Sequence, residues 1–523
     1  MEHHLLLTLS PIRLACGQVG SRNLSQYTGL TNNFRAIESM RQSAQLGCGF
    51  ALYAGILAPL LLGGALGAQI PDPALLAIEP ILRAESAELR GEAALALAST
   101  GEERHYQAVL ALASDPEPAA RQRALLALGY LGRPGPEALL RRILTKAPRD
   151  SVDRLSAAIA LGLLPDEPRL YAIDEFFERA SGASQKRVND EFICLLLGMA
   201  QRPHPLRQTI LEEYLEDDTY RDDDILALVI TALARTGTRP TAALIGQLSS
   251  ENNRITEAVL RGLAQPDITC TEDERREIIR LAKFHRSDRV RSAALDLLTY
   301  RRDAEALELA SEAIADNSSK VAAAAVRAIL KLGGGTMREQ AAQTILETRD
   351  PKRQAEMLRA KSSPHRKEFV DACLSLATDT RQDLLVRICA AKIAAEAGHH
   401  QIAPVLRRLF LEAQDLSAMS IAASALQELD SDLDNLPTKT IEDLAQLQNR
   451  LRALLGAGHK GGTDNLLRIL DPKKAGGDYR LEAVRAYRLT RLEPLTRGRG
   501  ESLPPVLKEI LDGFGVLAVR RIP

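Results

Sequence analysis

Two short stretches of the sequence carry residue types that could bind a nucleotide or a metal ion. Gly456–Gly461, GAGHKG, has the G-x-G-x-x-G spacing with which dinucleotide-binding proteins bring backbone N–H groups to a pyrophosphate. That chemistry needs a strand before the glycines and a helix after them, whereas here the helical pattern of Asn449–Leu455 precedes them. We therefore expect a turn between two helices and no nucleotide cofactor.

The acidic run Glu212–Asp224, EEYLEDDTYRDDD, supplies enough carboxylates for a hard cation but lacks the central glycine and alternate spacing of a calcium loop. We expect it to be a solvated connection. His399 and His400 are adjacent, so a helix would point their rings in different directions, and the H-E-x-x-H zinc pattern is absent. No G-x-S-x-G nucleophile pattern occurs. The sequence therefore favours a non-catalytic protein without metal or cofactor.

The composition favours stacked helices. The chain has 523 residues, of which 45% are hydrophobic and 26% charged, whereas aromatic residues make up 4% and tryptophan is absent. Alanine-rich and leucine-rich sequences with few aromatic or β-branched residues form helices more readily than sheets, so we expect almost no strand. The formal net charge of −1 produces no overall field that would draw the chain to nucleic acid or anionic lipid.

One sequence pattern recurs along most of the chain. In Asp115–Gly132, DPEPAARQRALLALGYLG, an arginine precedes alanines and leucines at helical spacing. Clear copies place an arginine at the same position, and weaker copies align on the apolar pattern alone. The clear anchors are Arg90, Arg121, Arg154, Arg291 and Arg387, and the weaker ones are Asp190, Leu226, Thr256, Ala322, Gln354, Met419, Arg450 and Arg480. Successive anchors are 30 to 36 residues apart, which gives thirteen units.

Each unit contains two helical stripes. After Arg121, the residues Ala124, Ala127, Leu128 and Leu131 share one helix face, and a second stripe begins at Leu140 beyond a Gly-Pro break. Neither stripe is buried within its own hairpin, but stacking hairpins side by side buries both. The sequence therefore predicts an all-α solenoid, a superhelix of about thirteen helical hairpins from residue 72 to 523. With helix axes ~9 Å apart, the array would run ~110 Å.

The clearest unit resembles the HEAT-like repeat of the phycobilisome-lyase type, whose core is D-P-x-x-x-x-R-x-x-A-x-x-A-L-G-x-L-G. The matching residues are Asp115, Pro116, Arg121, Ala124, Ala127, Leu128, Gly129, Leu131 and Gly132. The resemblance implies an α-solenoid that binds or scaffolds proteins. It also implies a ladder of hydrogen bonds between the acid and the arginine of successive units, which assigns a structural role to Asp115 and Arg121.

The N-terminal region has the layout of an export signal. No charged residue lies between Arg41 and Asp72, and an apolar run at Phe50–Leu62 is followed by small residues. We interpret residues 1–39 as a leader that lies upstream of the true start at Met40, and residues 40–71 as a cleaved signal peptide. A retained membrane anchor and a buried soluble helix are the alternatives. The arginines that precede the segment place residues 72–523 outside the cytoplasm, in a bacterial periplasm or cell envelope.

Four arginines are candidates for partner binding. Arg141-Arg142 and Arg407-Arg408 occupy the same register of the second helix, which in solenoids of this type lines the concave face. The equivalent positions in other units are mixed in charge, which suits a protein partner better than a nucleic-acid backbone. We therefore expect an exported or envelope-anchored scaffold that binds protein, without nucleic acid, and that contacts a membrane only through residues 42–71. A chromophore (bilin) lyase or its accessory subunit, and a nucleic-acid-binding solenoid, are the alternatives.

Overall fold

The structure is a computed structural model that describes most of the second of two units, Met1–Pro71 and Asp72–Pro523. The described residues are 72–148, 151–164, 245–264, 270–360, 367–431, 444–494 and 517–519, with single helical residues between 191 and 233. Residues 1–39, the predicted signal or anchor at 40–71, Asp190 and most of Glu212–Asp224 lie outside this description. No helix among the described residues is both long enough and apolar enough to cross a membrane.

The described part of Asp72–Pro523 consists almost entirely of helices. The α-helices, numbered in chain order, are α1 (Pro73–Ile78), α2 (Ala87–Ala98), α3 (Tyr106–Leu112), α4 (Pro118–Leu131), α5 (Glu137–Lys146), α6 (Val152–Leu163), α7 (Asn253–Gly262), α8 (Glu272–Phe284), α9 (Asp288–Tyr300), α10 (Ala306–Ala313), α11 (Ser319–Leu332), α12 (Gly335–Glu347), α13 (Pro351–Ala360), α14 (Lys367–Thr378), α15 (Leu384–Glu396), α16 (Ala403–Glu412), α17 (Leu416–Glu428), α18 (Leu444–Gly456), α19 (Lys460–Leu470) and α20 (Gly477–Arg491). Two three-residue strands, β1 (Leu492–Pro494) and β2 (Leu517–Val519), pair antiparallel.

Local sequence signals set the ends of these helices. α4 begins with Pro118 in its first turn, where a missing N–H is tolerated, and ends at Gly132, which has a left-handed φ of 61°. α8 opens with a capping box in which the Thr271 hydroxyl accepts from the Glu274 N–H and the Glu274 carboxylate accepts from the Thr271 N–H. Each hairpin is thus divided into two helices by its own sequence.

The helices form two rows. Eleven of the thirteen anchors lie in described helices of the first row, which are α2, α4, α6, α7, α9, α11, α13, α15, α17, α18 and α20. Leu226, a twelfth anchor, is a buried helical residue. Described neighbours in the first row pack directly on one another, and the helices of the second row, including α5, α8 and α16, pack against them. The predicted all-α solenoid of helical hairpins is confirmed.

The two rows are not equally spaced. First-row neighbours such as α9 and α11, or α11 and α13, are in close contact, whereas second-row neighbours such as α8 and α10 contact first-row helices far more than each other. In a curved stack the tightly spaced row lies on the concave side and the widely spaced row on the convex side. The concave face therefore belongs to the first helices, and the expectation that second helices line it is wrong for this chain.

The described array also closes on itself. The last first-row helix, α20, packs against α2, and the second-row helix α19 packs against α1. Leu75 and Ile78 of α1, Leu466 of α19, and Ala483 and Val484 of α20 are all buried and belong to the continuous core. The array, for which the sequence predicts a length of ~110 Å, therefore follows a path whose two ends meet. We call this joint, formed by α1 and α2 with α19 and α20, the seam.

Close packing within the first row depends on glycine. Gly162 of α6 faces Gly198, and a Cβ on Gly162 would lie 2.9 Å from the backbone nitrogen of Met199 and would overlap the carbonyl of Leu195. A Cβ does not approach other atoms that closely, so only glycine permits this crossing. The apolar side chains of both rows form one continuous buried cluster, as expected when stacked hairpins share a core.

Candidate functional site

From α7 to α17, the described first helices present one face whose residues are mostly exposed or half-buried. On α9, the exposed or half-buried residues Arg289, Asp296 and Tyr300 lie two residues before the anchor Arg291 and five and nine residues after it. At 100° per residue these positions fall on one side of the helix, opposite buried Ala294 and Leu298. Because the first row is concave, this side faces the inside of the curve. We call it the inner face.

From α7 to α13 the inner face is predominantly basic. Across these four successive helices it carries eight cationic and four acidic side chains. The cations are Arg254, Arg261, Arg289, Lys320, Arg327, Lys331, Lys352 and Arg359, and the carboxylates are Glu257, Asp288, Asp296 and Glu356. We call this set the inner strip. The sequence does contain a signal for this strip, namely a cation two residues before the anchor in four consecutive units. Comparing the charges of the second helices alone does not reveal it.

The carboxylates of the inner strip are all paired with its cations. Arg261 lies 2.7 Å from Glu257, Arg327 lies 2.8 Å from Asp296, and Arg359 lies 3.1 Å from Glu356. Lys320 lies 3.8 Å from Asp288. Glu257 is buried, whereas both partners of the other three pairs are exposed or half-buried. Pairs as exposed as these three contribute little to stability, about 0–1 kcal/mol each, so their charges remain available to a partner.

A cavity adjoins the strip where α13, α15 and α17 meet. Its volume is about 240 Å³, and it is lined by Leu358, Cys389, Ile393 and Ile421 together with charged residues at its margin, Arg359, Lys392 and Glu396. Lys392 pairs with Glu396 at 2.9 Å. Burial raises the pKa of the Cys389 thiol to about 12, so at neutral pH it is protonated and is an apolar lining group, not a nucleophile.

One position of the inner face changes from polar to apolar in the first three units. At the position five residues after the anchor, where α11 has Arg327 and α13 has Arg359, the N-terminal helices α2, α4 and α6 have Leu95, Leu126 and Ile159. These three side chains are buried and belong to the continuous core. The position five residues after the anchor is therefore polar in the units of α7 to α17, and apolar and buried in the first three.

The anchor arginines link each unit to the next. Arg90 donates to both oxygens of Asp115, at 3.0 and 2.9 Å, and also to the carbonyls of Ala84 and Glu85, each at 2.8 Å. The hydrogen bonds from Arg90 and the burial of Asp115 have opposite effects, and the net result is a lowered pKa of the Asp115 carboxyl. The guanidinium thus joins two helical hairpins and satisfies two loop carbonyls.

A similar arrangement recurs at three of the other four clear anchors. Arg121 donates to Asp153 at 2.7 Å and to the Asp115 carbonyl at 2.8 Å, and Arg154 donates to Glu191 at 3.2 Å. Arg291 binds both oxygens of Asp316, at 3.2 and 3.1 Å. Arg387 differs, since it lies 3.6 Å from Glu412 and donates to the Ala377 carbonyl at 3.4 Å.

The four arginines predicted for partner binding lie on second-row helices. Arg141 pairs with Glu137 at 2.7 Å, and Arg142 is exposed. Arg407 donates to the Ser431 hydroxyl at 2.8 Å, and Arg408 lies 3.5 Å from Glu412. Since the second row is convex, these side chains do not lie on the concave face, and the structure does not bring them together with the inner strip. Their role in binding stays a prediction.

A buried charge cluster lies across the seam. Glu92 of α2 is fully buried, with Arg488 of α20 at 2.7 Å, Arg123 of α4 at 3.1 Å and Arg485 of α20 at 3.5 Å. Burial acts to raise the pKa of Glu92, but attraction to Arg488, Arg123 and Arg485 outweighs it and holds the pKa below its ordinary value. The carboxylate is therefore ionised and connects the first two units to the last.

The described stretches whose residue types could bind a nucleotide or a metal ion lie at connections between helices. Gly456 ends α18, and His459 caps α19: its Nδ1 accepts from the Gly461 N–H at 3.0 Å, and its Nε2 contacts the Ser431 carbonyl at 2.7 Å. His399 and His400 stand at the short turn before α16. Within the described ranges, no group of three or more His, Cys, Asp or Glu side chains could hold a metal ion.

These features define the class of protein as an all-α solenoid of stacked helical hairpins. Residues 74–180, which include the units of Arg90, Arg121 and Arg154, match the family of HEAT repeats. The match to this family is confined to residues 74–180, in the N-terminal part of the solenoid. No curated protein matches the chain.

The solved structures that match parts of this chain include an engineered protein and importin beta. The engineered protein is 18% identical, with a TM-score of 0.28, and the match covers 68% of this chain and 99% of that one. Importin beta is 14% identical, with a TM-score of 0.36, and the match covers 79% of this chain and 62% of importin beta. The match thus spans less than two thirds of importin beta, and at these scores neither likeness bears on function.

Proposed function

We propose that this protein is a non-catalytic scaffold that binds another protein along its inner face. The observation that carries the proposal is the order of groups on successive first helices. A predominantly basic strip with paired charges on α7 to α13 leads into a cavity at α13, α15 and α17 that is lined by aliphatic and charged side chains. Protein interfaces combine such a polar, hydrated margin with a small apolar centre that excludes water.

Site-specific photo-crosslinking tests this proposal. A photoreactive amino acid replaces Tyr300, which is 41% exposed on the inner face of α9. The control replaces Phe284, which is 75% exposed at the end of the second-row helix α8. A partner that crosslinks from position 300 and not from 284, in the native host, supports binding at the inner face. Equal crosslinking from both positions, or crosslinking from 284 alone, contradicts it.

We also propose that the solenoid acts outside the cytoplasm of a bacterium, in the periplasm or cell envelope. Support comes from the uncharged stretch between Arg41 and Asp72, with its apolar run at Phe50–Leu62 and the basic residue before it. If the segment is cleaved, the mature protein is free in the envelope, and if it is retained, it anchors the solenoid to the membrane.

Cell fractionation and N-terminal sequencing of the protein expressed from its native start test the location. An envelope product that begins near Gln69 supports cleavage and export. An intact chain in the membrane fraction supports the anchored form. Recovery of the intact chain in the cytoplasmic fraction contradicts export in either form.

A further inference from the structure

We propose that the inner strip binds an acidic polypeptide segment and that the adjoining cavity takes one apolar side chain of that segment. This inference rests on the proposed scaffold function and specifies the chemistry of the partner. Four first helices, α7, α9, α11 and α13, contribute the strip, and the cavity follows directly where α13 meets α15 and α17. A single extended segment that crosses the helices would reach both.

The charge balance of the strip calls for an anionic partner. Eight cations stand against four carboxylates, an excess of four, although the whole chain has a net charge of −1. Each carboxylate already has a cation of the strip beside it. Arg289 and Lys352 are exposed in the first turns of α9 and α13. Acidic side chains placed near these two would gain attraction without displacing an existing pair.

The cavity distinguishes a polypeptide from a nucleic acid. Its floor is formed by Leu358, Ile393, Ile421 and the protonated thiol of Cys389, so it suits an aliphatic or aromatic side chain. Its volume of about 240 Å³ is below the ~300–1,000 Å³ of sites for small-molecule ligands, which favours one side chain of a larger partner.

The length of the strip sets the length of the segment. Four helices with axes ~9 Å apart span ~27 Å, which an extended chain covers in about eight residues at ~3.3 Å each. A segment of about 12 residues therefore reaches from α7 into the cavity. Its acidic residues would lie along the strip, and its apolar residue would lie near the end that contacts α15 and α17.

Fluorescence anisotropy with a defined peptide tests the inference on the full chain. The probe is a fluorescein-labelled peptide of about 12 residues in which Asp and Ser alternate and one Phe stands near one end. We expect it to bind, and to bind less tightly as the salt concentration rises. The same peptide with Ser in place of Phe should bind about tenfold more weakly, because the cavity then stays unfilled. A peptide with Lys in place of Asp should not bind.

Charge reversal on the strip is the matched variant. Arg289→Glu with Lys352→Glu alters two exposed side chains in the first turns of first-row helices, where an acidic residue favours the helix. The control, Lys367→Glu with Lys460→Glu, makes the same charge change at exposed first-turn positions of the second-row helices α14 and α19. Peptide binding should weaken at least tenfold, about 1.4 kcal/mol, in the first variant and stay within about twofold in the control.

Other outcomes overturn the inference. The inference is wrong if both variants weaken peptide binding equally, or if neither variant weakens it. It is also wrong if the peptide does not bind to the wild-type chain. Binding of a DNA duplex of about 20 base pairs in place of the peptide would assign the strip to nucleic acid. A further outcome is that a photoreactive residue at position 300 crosslinks a protein partner whose binding is unchanged in the strip variant. In that case the acidic-segment inference is wrong and the scaffold function stands.

Discussion

The Tyr487 hydroxyl donates a 2.8 Å hydrogen bond to the carboxylate of Asp72, a residue 415 positions earlier in the chain. The same carboxylate accepts from Arg491 at 2.9 Å. Asp72 also caps α1 by accepting from the Ala74 N–H at 2.9 Å. One carboxylate at the start of the array therefore holds the last helix, and the seam depends on polar as well as apolar contacts.

Tyr487→Phe should destabilise the fold by about 1 kcal/mol, because it removes a hydrogen bond to a charged acceptor and leaves the ring packing intact. The measurement is the free energy of unfolding in urea. Tyr479→Phe, on the same helix but only half-buried, is the control and should change stability by less than about 0.5 kcal/mol. An equal effect of the two substitutions would show that the bond to Asp72 contributes nothing.

Glu92→Gln should destabilise the fold by about 3 kcal/mol, since it leaves buried guanidinium groups of Arg123 and Arg488 facing a neutral amide. Glu88→Gln is the control, because Glu88 is exposed and lies 3.6 Å from Arg485 at the same seam. It should change stability by less than about 1 kcal/mol. Comparing the two variants distinguishes the stability contributed by the buried Glu92 carboxylate from that of an exposed carboxylate at the same seam.

The stability of the wild-type chain should fall in acid in a way that depends on Glu92. The folded-state pKa of this carboxyl lies below its ordinary value of 4.5, so its stabilising contribution is fully present above that value and is lost as the pH falls through the folded pKa. Unfolding free energies of wild type and Glu92→Gln, measured between neutral pH and pH ~3, should therefore converge in acid. Parallel curves would contradict the assignment.

Arg291→Lys should destabilise the ladder by about 1–2 kcal/mol. A lysine replaces a guanidinium that binds both oxygens of Asp316 and the carbonyls of His285 and Arg286, and it cannot make this set of bonds. Arg289→Lys, two residues away and exposed, is the control and should be neutral within about 0.5 kcal/mol. Thermal unfolding of the two variants makes the comparison.

Gly162→Ala should destabilise the fold by several kcal/mol, of the order of ~3 kcal/mol, because its Cβ would overlap backbone atoms of the next first-row helix. Gly246→Ala adds the same methyl group where no atom lies within 4 Å, and the backbone there is helical, with φ −55°. That control should be neutral or slightly stabilising. Circular dichroism melts of both variants would show whether the crossing at Gly162 is as tight as described.

The fold was predictable because the repeat pattern is local. Each stripe, such as Ala124, Ala127 and Leu128, has a helical period, and neither helix of a hairpin buries its stripe alone, so stacking follows from the residues. The capping box at Thr271 and Glu274 could likewise be read from spacing. These features need no knowledge of distant contacts.

The concave row and the seam could not be predicted in the same way. Curvature depends on a small rotation between successive hairpins, which accumulates over the array and leaves no signature in any one unit. The partners of Glu92 include Arg485 and Arg488 near the other end of the array, and nothing in the local pattern pairs them. Comparing second-helix registers consequently selected Arg141 and Arg407, whereas the concave charges lie two residues before the anchors, at Arg289 and Lys352.

The seam also determines the order in which the array assembles. Ladder contacts join residues 25 to 37 positions apart, such as Arg90 with Asp115 and Arg154 with Glu191, whereas the bond from Tyr487 to Asp72 spans 415. Bringing the more distant pair together costs roughly 2 kcal/mol more chain entropy. We therefore expect the seam to form after the ladder contacts during folding, so that the array closes only once its hairpins are stacked.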